Sequence, residues 1–126
     1  MTERVQEQLD LTDDQMRQLR STVGKFGGQR RDMETRQRTL GRALASQLRP
    51  GGGAGLSRDS VARLTDELMT LRVRYAESFR EEQAELARYL DPVQRARLLV
   101  LRERLLEHTK VLRGRRPFME RQPRPH

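Results

Sequence analysis

Side chains able to carry acid–base or metal chemistry are few in this chain of 126 residues. There is no cysteine, which removes thiol nucleophiles, disulfides and thiolate metal sites. A second metal ligand one helical turn from His108 is lacking, because Arg104 and Leu112 hold those positions. Three carboxylates cluster, but no pocket-forming pattern surrounds them: Glu81, Glu82 and Glu85. We therefore expect no enzyme, no metal site and no cofactor.

The composition favours long amphipathic helices over a large globular core. Apolar residues make up 34% of the chain, aromatic residues 4%, and mean hydropathy is −0.90. Helices that bury one stripe and solvate the rest suit such a sequence. No run approaches the roughly 20 apolar residues that a membrane-spanning helix needs, so no membrane span is expected.

The net charge of +8, from 26 basic and 18 acidic residues, points to an acidic or anionic partner. Nucleic acid is the obvious rival partner, since clustered arginines attract phosphate. Acidic residues are interleaved with the basic ones, however, and no recognised nucleic-acid-binding motif is present. We therefore disfavour nucleic acid as the partner.

Two related five-residue segments, LTDDQ at 11–15 and LDPVQ at 90–94, have the pattern of helix starts. Thr12 and Gln15 predict a capping box, in which each side chain bonds the other residue's backbone N–H. Asp91 predicts a cap followed by Pro92 at the first helical position, where a missing N–H is harmless. The residues assigned to these motifs are Leu11, Thr12, Gln15, Leu90, Asp91 and Gln94.

Apolar residues recur at steps of three and four over two long segments, which predicts an all-α fold. The glycine-rich break between the segments predicts an antiparallel helical hairpin, in which Phe26 meets Phe79 and Arg30 lies near Tyr75. A third helix is too short to cover the hairpin, so a second copy of the chain would complete the core. The expected helices are about Asp13–Leu48, Arg58–Tyr89 and Pro92–Leu112. They form a domain of residues 1–113, followed by a disordered Arg- and Pro-rich tail at 114–126.

With its two motifs in this order, the chain resembles the Spy and CpxP family, which is defined by a repeated LTxxQ motif. The first segment matches the motif in full, and the second departs from it only at Asp91. The resemblance covers about residues 5–113. It implies an elongated, cradle-like antiparallel homodimer in the periplasm, with a signal peptide missing from this chain. A cytoplasmic location is the alternative.

The family resemblance also implies a function. Its members include ATP-independent chaperones that hold unfolding clients, and adaptors that act on an envelope-stress sensor protein. Relatives resembling ZraP and CnrX bind or sense metals, so a metal-stress sensor without chaperone activity stays open as an alternative. The basic bias of the first long helix leads us to expect a client-binding face there, formed by Arg17, Arg20, Phe26, Arg30, Arg31, Met33 and Arg38.

Overall fold

The computed structural model describes the backbone of residues 2–50 and 56–121, and the side chains of residues 4–50 and 56–109. Every regular element in these ranges is an α-helix, which confirms the all-α prediction. The long helices begin where the capping signals place them. The helices are α1 (Thr2–Leu9), α2 (Asp13–Leu48), α3 (Arg58–Leu86) and α4 (Pro92–Arg121).

Two helix ends differ from the predicted ones. α3 ends at Leu86 rather than near Tyr89, because the backbone tightens there: the N–H of Tyr89 bonds the carbonyl of Leu86. α4 runs to Arg121, past the end predicted near Leu112. The division into a domain of 1–113 and a disordered tail of 114–126 stays a prediction, and residues 122–126 lie outside the described residues.

One compact unit combines α1, the first turn of α2 and α4. Its core is aliphatic and is supplied by both ends of the chain: Leu9, Leu11, Met16, Leu90 and Leu98 are buried. The motif leucines are therefore core residues, while the capping residues that follow them sit at the helix starts. α1 contacts α4 in this unit.

The turn between α1 and α2 depends on one residue in a left-handed conformation. Asp10 has a φ of 57°, and the N–H groups of Asp10 and Leu11 bond back to the carbonyls of Glu7 and Gln6. This pair of bonds is the Schellman arrangement that closes a helix. It turns the chain directly into the LTDDQ segment.

The second compact unit contains the rest of α2 and all of α3. These helices run antiparallel, because Arg36 bonds Glu67 near one end and Thr22 bonds Glu85 near the other. The predicted hairpin is therefore present. Its described core mixes aliphatic, aromatic and polar side chains: Leu19, Thr22, Phe26, Leu40, Ser78, Glu82 and Leu86 are buried.

The seam, meaning the side of each long helix that the apolar spacing predicts to face the other, is shifted by one residue at two positions. Val23 is 36% exposed and Phe79 is 43% exposed, although both follow the apolar steps of three and four. The preceding residues, Thr22 and Ser78, occupy the buried positions instead. Both helices therefore place a small hydroxyl side chain where the periodicity alone favours a large apolar one, and those hydroxyls bond charged partners.

Three glycines, at positions 24, 27 and 28, lie inside α2 without interrupting it. A Cβ built on Gly24 meets no atom within 4 Å, and one on Gly27 would only touch the Arg31 guanidinium at 3.5 Å. Neither position needs glycine for steric reasons. The glycines therefore cost helix stability without enabling a close contact in the described part of the chain.

We expect Gly24→Ala to raise the free energy of unfolding by about 1 kcal/mol, because alanine loses less backbone entropy in a helix. Gly41→Ala is the matched control, since a Cβ there also meets open space in the same helix. Urea unfolding of both variants measures the gain. A Gly24→Ala variant that is less stable than the wild type would show that an unseen contact approaches this position.

Candidate functional site

The two motif segments form two complete capping boxes. The Gln15 N–H donates to the Thr12 hydroxyl at 3.1 Å, and the Thr12 N–H donates to Gln15 Oε1 at 2.9 Å. The Gln94 N–H donates to Asp91 Oδ1 at 2.8 Å, and the Asp91 N–H donates to Gln94 Oε1 at 3.0 Å. Replacement of threonine by aspartate at position 91 therefore leaves the geometry of the motif intact.

The glutamines of the two boxes also bond each other. Gln15 Nε2 donates to Gln94 Oε1 at 3.1 Å, and Gln94 Nε2 donates to Gln15 Oε1 at 3.2 Å. Gln94 Nε2 also donates to the carbonyl of Asp10 at 2.7 Å. Each glutamine amide oxygen thus accepts a hydrogen bond from its own helix start. Each amide nitrogen donates a hydrogen bond to the glutamine of the other motif.

This double role explains why the motif ends in glutamine and why it occurs twice. Glutamate could close a capping box, but it has no N–H to donate to the other motif. Only 8% of Gln94 is exposed, and loss of its Nε2 donor would remove one hydrogen bond each from Gln15 Oε1 and the Asp10 carbonyl. The paired motifs join the start of α2 to the start of α4 within the first unit.

A buried ion pair lies between the two helices of the hairpin. Arg30 Nη2 is 2.7 Å from Glu82 Oε1, and the two side chains are 11% and 1% exposed. Arg30 Nε also donates to the Ser78 hydroxyl at 3.2 Å, which donates in turn to the carbonyl of Tyr75. Because both charges are desolvated, each depends on the other for compensation.

Aromatic rings flank this ion pair. The Arg30 guanidinium carbon lies 4.0 Å from the centroid of the Phe79 ring and 5.9 Å from that of Phe26. The sequence predicted that Arg30 lies near Tyr75, but its guanidinium lies over Phe79 instead. Tyr75 instead packs edge-on against Phe79, and its hydroxyl donates to Glu34 at 2.8 Å. The guanidinium reaches one helical turn further along α3 because Glu82 attracts it there.

A second series of hydrogen bonds joins the N-terminal part of α2 to the C-terminal end of α3. The Tyr89 hydroxyl donates to the Thr22 hydroxyl at 2.7 Å, and Thr22 donates to Glu85 at 2.7 Å. Lys25 bonds the second oxygen of Glu85. The hydrogen bonds from Lys25 and then Thr22 lower the pKa of the Glu85 carboxyl, while burial raises the pKa of the Tyr89 hydroxyl. A carboxyl whose pKa is lowered by folding stabilises the folded state at pH values above its unfolded-state pKa. That stabilisation is lost as the pH falls through the folded-state pKa.

The residues predicted to bind clients differ in their exposure. Phe26 is buried and Arg30 is occupied by Glu82, so these two hold the hairpin together and are not displayed on its surface. Met33 is half-buried. The remaining four, Arg17, Arg20, Arg31 and Arg38, are exposed. The sequence pattern missed the role of Arg30, although an opposite charge in each seam was the available signal.

The four exposed arginines share one face of α2. Their steps of three, eleven and seven residues bring them to nearly the same angle on a helix of 3.6 residues per turn. Arg42 follows Arg38 on this face, and Gly24 and Gly28 lie between Arg20 and Arg31. We call this set of arginines, Arg17, Arg20, Arg31, Arg38 and Arg42, the basic row. It lies on the side of α2 opposite the buried residues.

The part of the chain whose side chains are described shows no metal cluster and no membrane-spanning helix. No group of three or more His, Cys, Asp or Glu side chains converges there as metal ligands would. None of the helices there combines the length and the apolar character required to cross a membrane.

Replacing Gln94 by glutamate should lower the free energy of unfolding by about 2 kcal/mol, because Gln15 Oε1 and the Asp10 carbonyl each lose a hydrogen bond and meet a carboxylate oxygen instead. Glutamate is otherwise favourable at this capping position and near a helix N-terminus. Thr12→Ala, which removes a single cap, should cost only about 1 kcal/mol. Urea unfolding at neutral pH measures both. Equal stability of Gln94→Glu and the wild type would contradict the role of the glutamine pair.

Replacing Glu82 by glutamine should cost about 3 kcal/mol, because Arg30 is left as an uncompensated buried charge. Glu81→Gln, an exposed neighbour, should stay within about 0.5 kcal/mol of the wild type. The double variant Arg30→Met/Glu82→Leu should recover most of the loss, since it removes both charges together. Chemical denaturation of the four proteins tests the pair. A double variant as unstable as Glu82→Gln would argue against it.

The comparisons with known proteins agree with the motif geometry. The family model described as LTXXQ motif family protein matches residues 2–102, which include α1, both capping boxes and the hairpin. Searches of curated proteins and of solved structures returned no match. Since the matched region covers most of the sequence, the chain belongs to the LTXXQ motif family, the family of the Spy and CpxP type.

Proposed function

We propose that this protein is an ATP-independent periplasmic chaperone, or an envelope-stress adaptor, that binds unfolded protein on the basic row of α2. Membership of the LTXXQ family supports this class of function. The single observation that carries the proposal is the row itself, because it displays five arginines on one solvent-facing side of a helix.

The basic row is long enough to contact an extended segment of a client. From Arg17 to Arg42 it covers 25 helical steps, or about 38 Å at 1.5 Å per residue. The guanidinium group pairs with carboxylates in several geometries and stacks on aromatic rings. A row of such groups binds many acidic or aromatic sequences weakly, which is the behaviour a chaperone needs.

The charge of the hairpin is unevenly distributed between its two helices. α2 carries eight basic and four acidic residues, a net charge of +4. α3 carries five basic and seven acidic residues, a net charge of −2. Lys25 and Arg36 of α2 are also paired with α3 carboxylates, as Arg30 is. The unbalanced positive charge of α2 is therefore concentrated on its outer face.

Exposed apolar side chains in the same unit supply non-directional affinity. Met69, Val73 and Phe79 of α3 are 53%, 56% and 43% exposed. Met33 is half-buried and follows Phe26 by seven residues, so it lies on the side of α2 that faces α3 and not on the basic row. Phe26 and Arg30 are assigned to packing of the hairpin and not to the client surface.

We also propose that the protein works as a homodimer in the periplasm, as the family resemblance implies. Two other functions compete. A metal-stress sensor without chaperone activity would respond to a divalent metal and fail to suppress aggregation. A nucleic-acid-binding protein is favoured only by the net charge of +8, and it would use the same basic row on phosphates.

Suppression of light scattering from an aggregating client, without ATP, tests the proposal. We expect suppression at an equimolar ratio, weakened as salt rises because surface charges are screened within about 8 Å at physiological ionic strength. The triple variant Arg20→Gln/Arg31→Gln/Arg38→Gln should lose most of the salt-sensitive suppression. Arg58→Gln/Arg63→Gln/Arg72→Gln on α3 removes the same charge and is the matched control.

Full suppression by the α2 triple variant would contradict a role for the basic row. Absence of suppression by the wild type at both salt concentrations would remove the chaperone function. In that case, binding of a DNA or RNA duplex in a gel-shift assay would identify nucleic acid as the ligand, and a metal-dependent shift in melting temperature would favour the sensor.

A further inference from the structure

An open groove lies on the surface of the first unit, between α1 and α4. Its volume is about 570 Å³, and its walls come from Gln8 and Leu9 on α1 and from residues between Pro92 and Arg104 on α4. The apolar part of the lining consists of Leu9, Val93, Ala96, Val100 and Leu101. The groove shares no residue with the basic row, which belongs to the second unit.

The groove exposes apolar surface that nothing in the described chain covers. Val93 is 57% exposed and Val100 is 48% exposed, although both lie in the lining. Ala96 is a small residue between them on the same helix, and a small side chain allows another backbone to approach closely. Single exposed apolar residues need no explanation, but a continuous apolar groove marks an interaction site.

Two arginines give the groove a charge. Arg97 and Arg104 line it seven residues apart, which is two helical turns or about 10 Å along α4. None of the described lining residues is acidic. Glu103 and Glu107 stand nearby on α4, but no ion pair joins either to these arginines among the described residues. The groove therefore presents two positive charges in register beside an apolar floor.

We propose that this groove binds an acidic amphipathic helix of another protein. Such a helix places its apolar residues at steps of three and four, and it repeats its carboxylates every seven residues. Its apolar stripe covers Val93 and Val100, while two carboxylates two turns apart pair with Arg97 and Arg104. The partner is recognised by the combination of an apolar stripe and a matched charge spacing.

Other occupants fit the groove less well. The segment after residue 113 of this chain is rich in arginine. Its positive charge is therefore repelled by the positive charge of the groove. A second copy of the chain also carries a positive net charge of +8, so the proposed homodimer is expected to form through another surface. An anionic lipid matches the charge, but its acyl chain is better held in an enclosed pocket than in an open groove. The acidic helix satisfies both the charge and the open shape.

Fluorescence anisotropy with a labelled synthetic peptide tests this proposal on the intact protein. The probe is an alanine-based helix of about 18 residues, long enough to be helical alone, with leucines on one stripe and glutamates two turns apart. The scrambled peptide, with the same composition and no stripe, is the control ligand. We expect the designed peptide to bind at least about tenfold more tightly than the scrambled one, a difference of about 1.4 kcal/mol.

Two variants locate the binding and exclude a general charge effect. Arg97→Glu/Arg104→Glu should weaken binding of the glutamate peptide by at least about tenfold, because two attractive pairs become repulsive. The same variant should bind a lysine version of the peptide better than the wild type does. Arg63→Glu/Arg72→Glu on α3 makes the same change in net charge and should leave binding nearly unchanged.

Several results would overturn the proposal. One is equal affinity for the designed and the scrambled peptide; another is equal weakening by the α4 and the α3 double variants. Binding to vesicles of phosphatidylglycerol without binding to the peptide would identify a lipid surface instead. Self-association in sedimentation experiments that the α4 double variant abolishes would identify a second copy. Failure of the peptide test leaves the client-binding function of α2 untouched, because the two surfaces share no residue.

Discussion

The hairpin of α2 and α3 depends on a charged contact, the buried pair of Arg30 and Glu82. With 34% apolar residues, the chain lacks the material for a continuous aliphatic seam along two helices of this length. Thr22, Ser78 and Glu82 are buried where apolar residues would otherwise stand. Each of them has a hydrogen-bond or ion-pair partner, so the buried polar groups are satisfied. Loss of such a partner lowers the free energy of unfolding more than loss of a buried methyl group does.

A polar core of this kind also divides the arginines of α2 by function. Arg30 forms an ion pair with Glu82, and Arg36 forms one with Glu67. The basic row lies on the opposite side of the helix from Arg30, which pairs with α3. The uneven charge of the two helices, +4 against −2, therefore both attracts α3 to α2 and leaves the outer face of α2 positive. The hairpin contacts and the proposed client surface come from the same charge bias.

Local sequence signals predicted the helix starts, and packing decided what they could not show. Thr12 with Gln15 determines a helix start through residues three apart, so the pattern is readable. The bond between Gln15 and Gln94 joins residues 79 positions apart, and periodicity carries no information about it. The aromatic partner of Arg30 was misplaced by one helical turn, because Glu82 competes with Tyr75 for the guanidinium. The residues predicted to bind clients include both the buried Arg30 and exposed arginines of α2. Composition alone does not separate a buried arginine from an exposed one.

The two proposed surfaces use arginine for different kinds of recognition. On α2 the arginines stand among glycines and polar residues, so affinity there rests on charge, is screened by salt and tolerates many sequences. In the α4 groove two arginines stand beside an apolar floor, where charge sets the position of a ligand and apolar burial supplies the energy. A surface of the first kind suits unfolded chains, which have no fixed shape to match. A surface of the second kind discriminates, because a helix with the wrong spacing cannot bury its apolar stripe and pair both carboxylates at once.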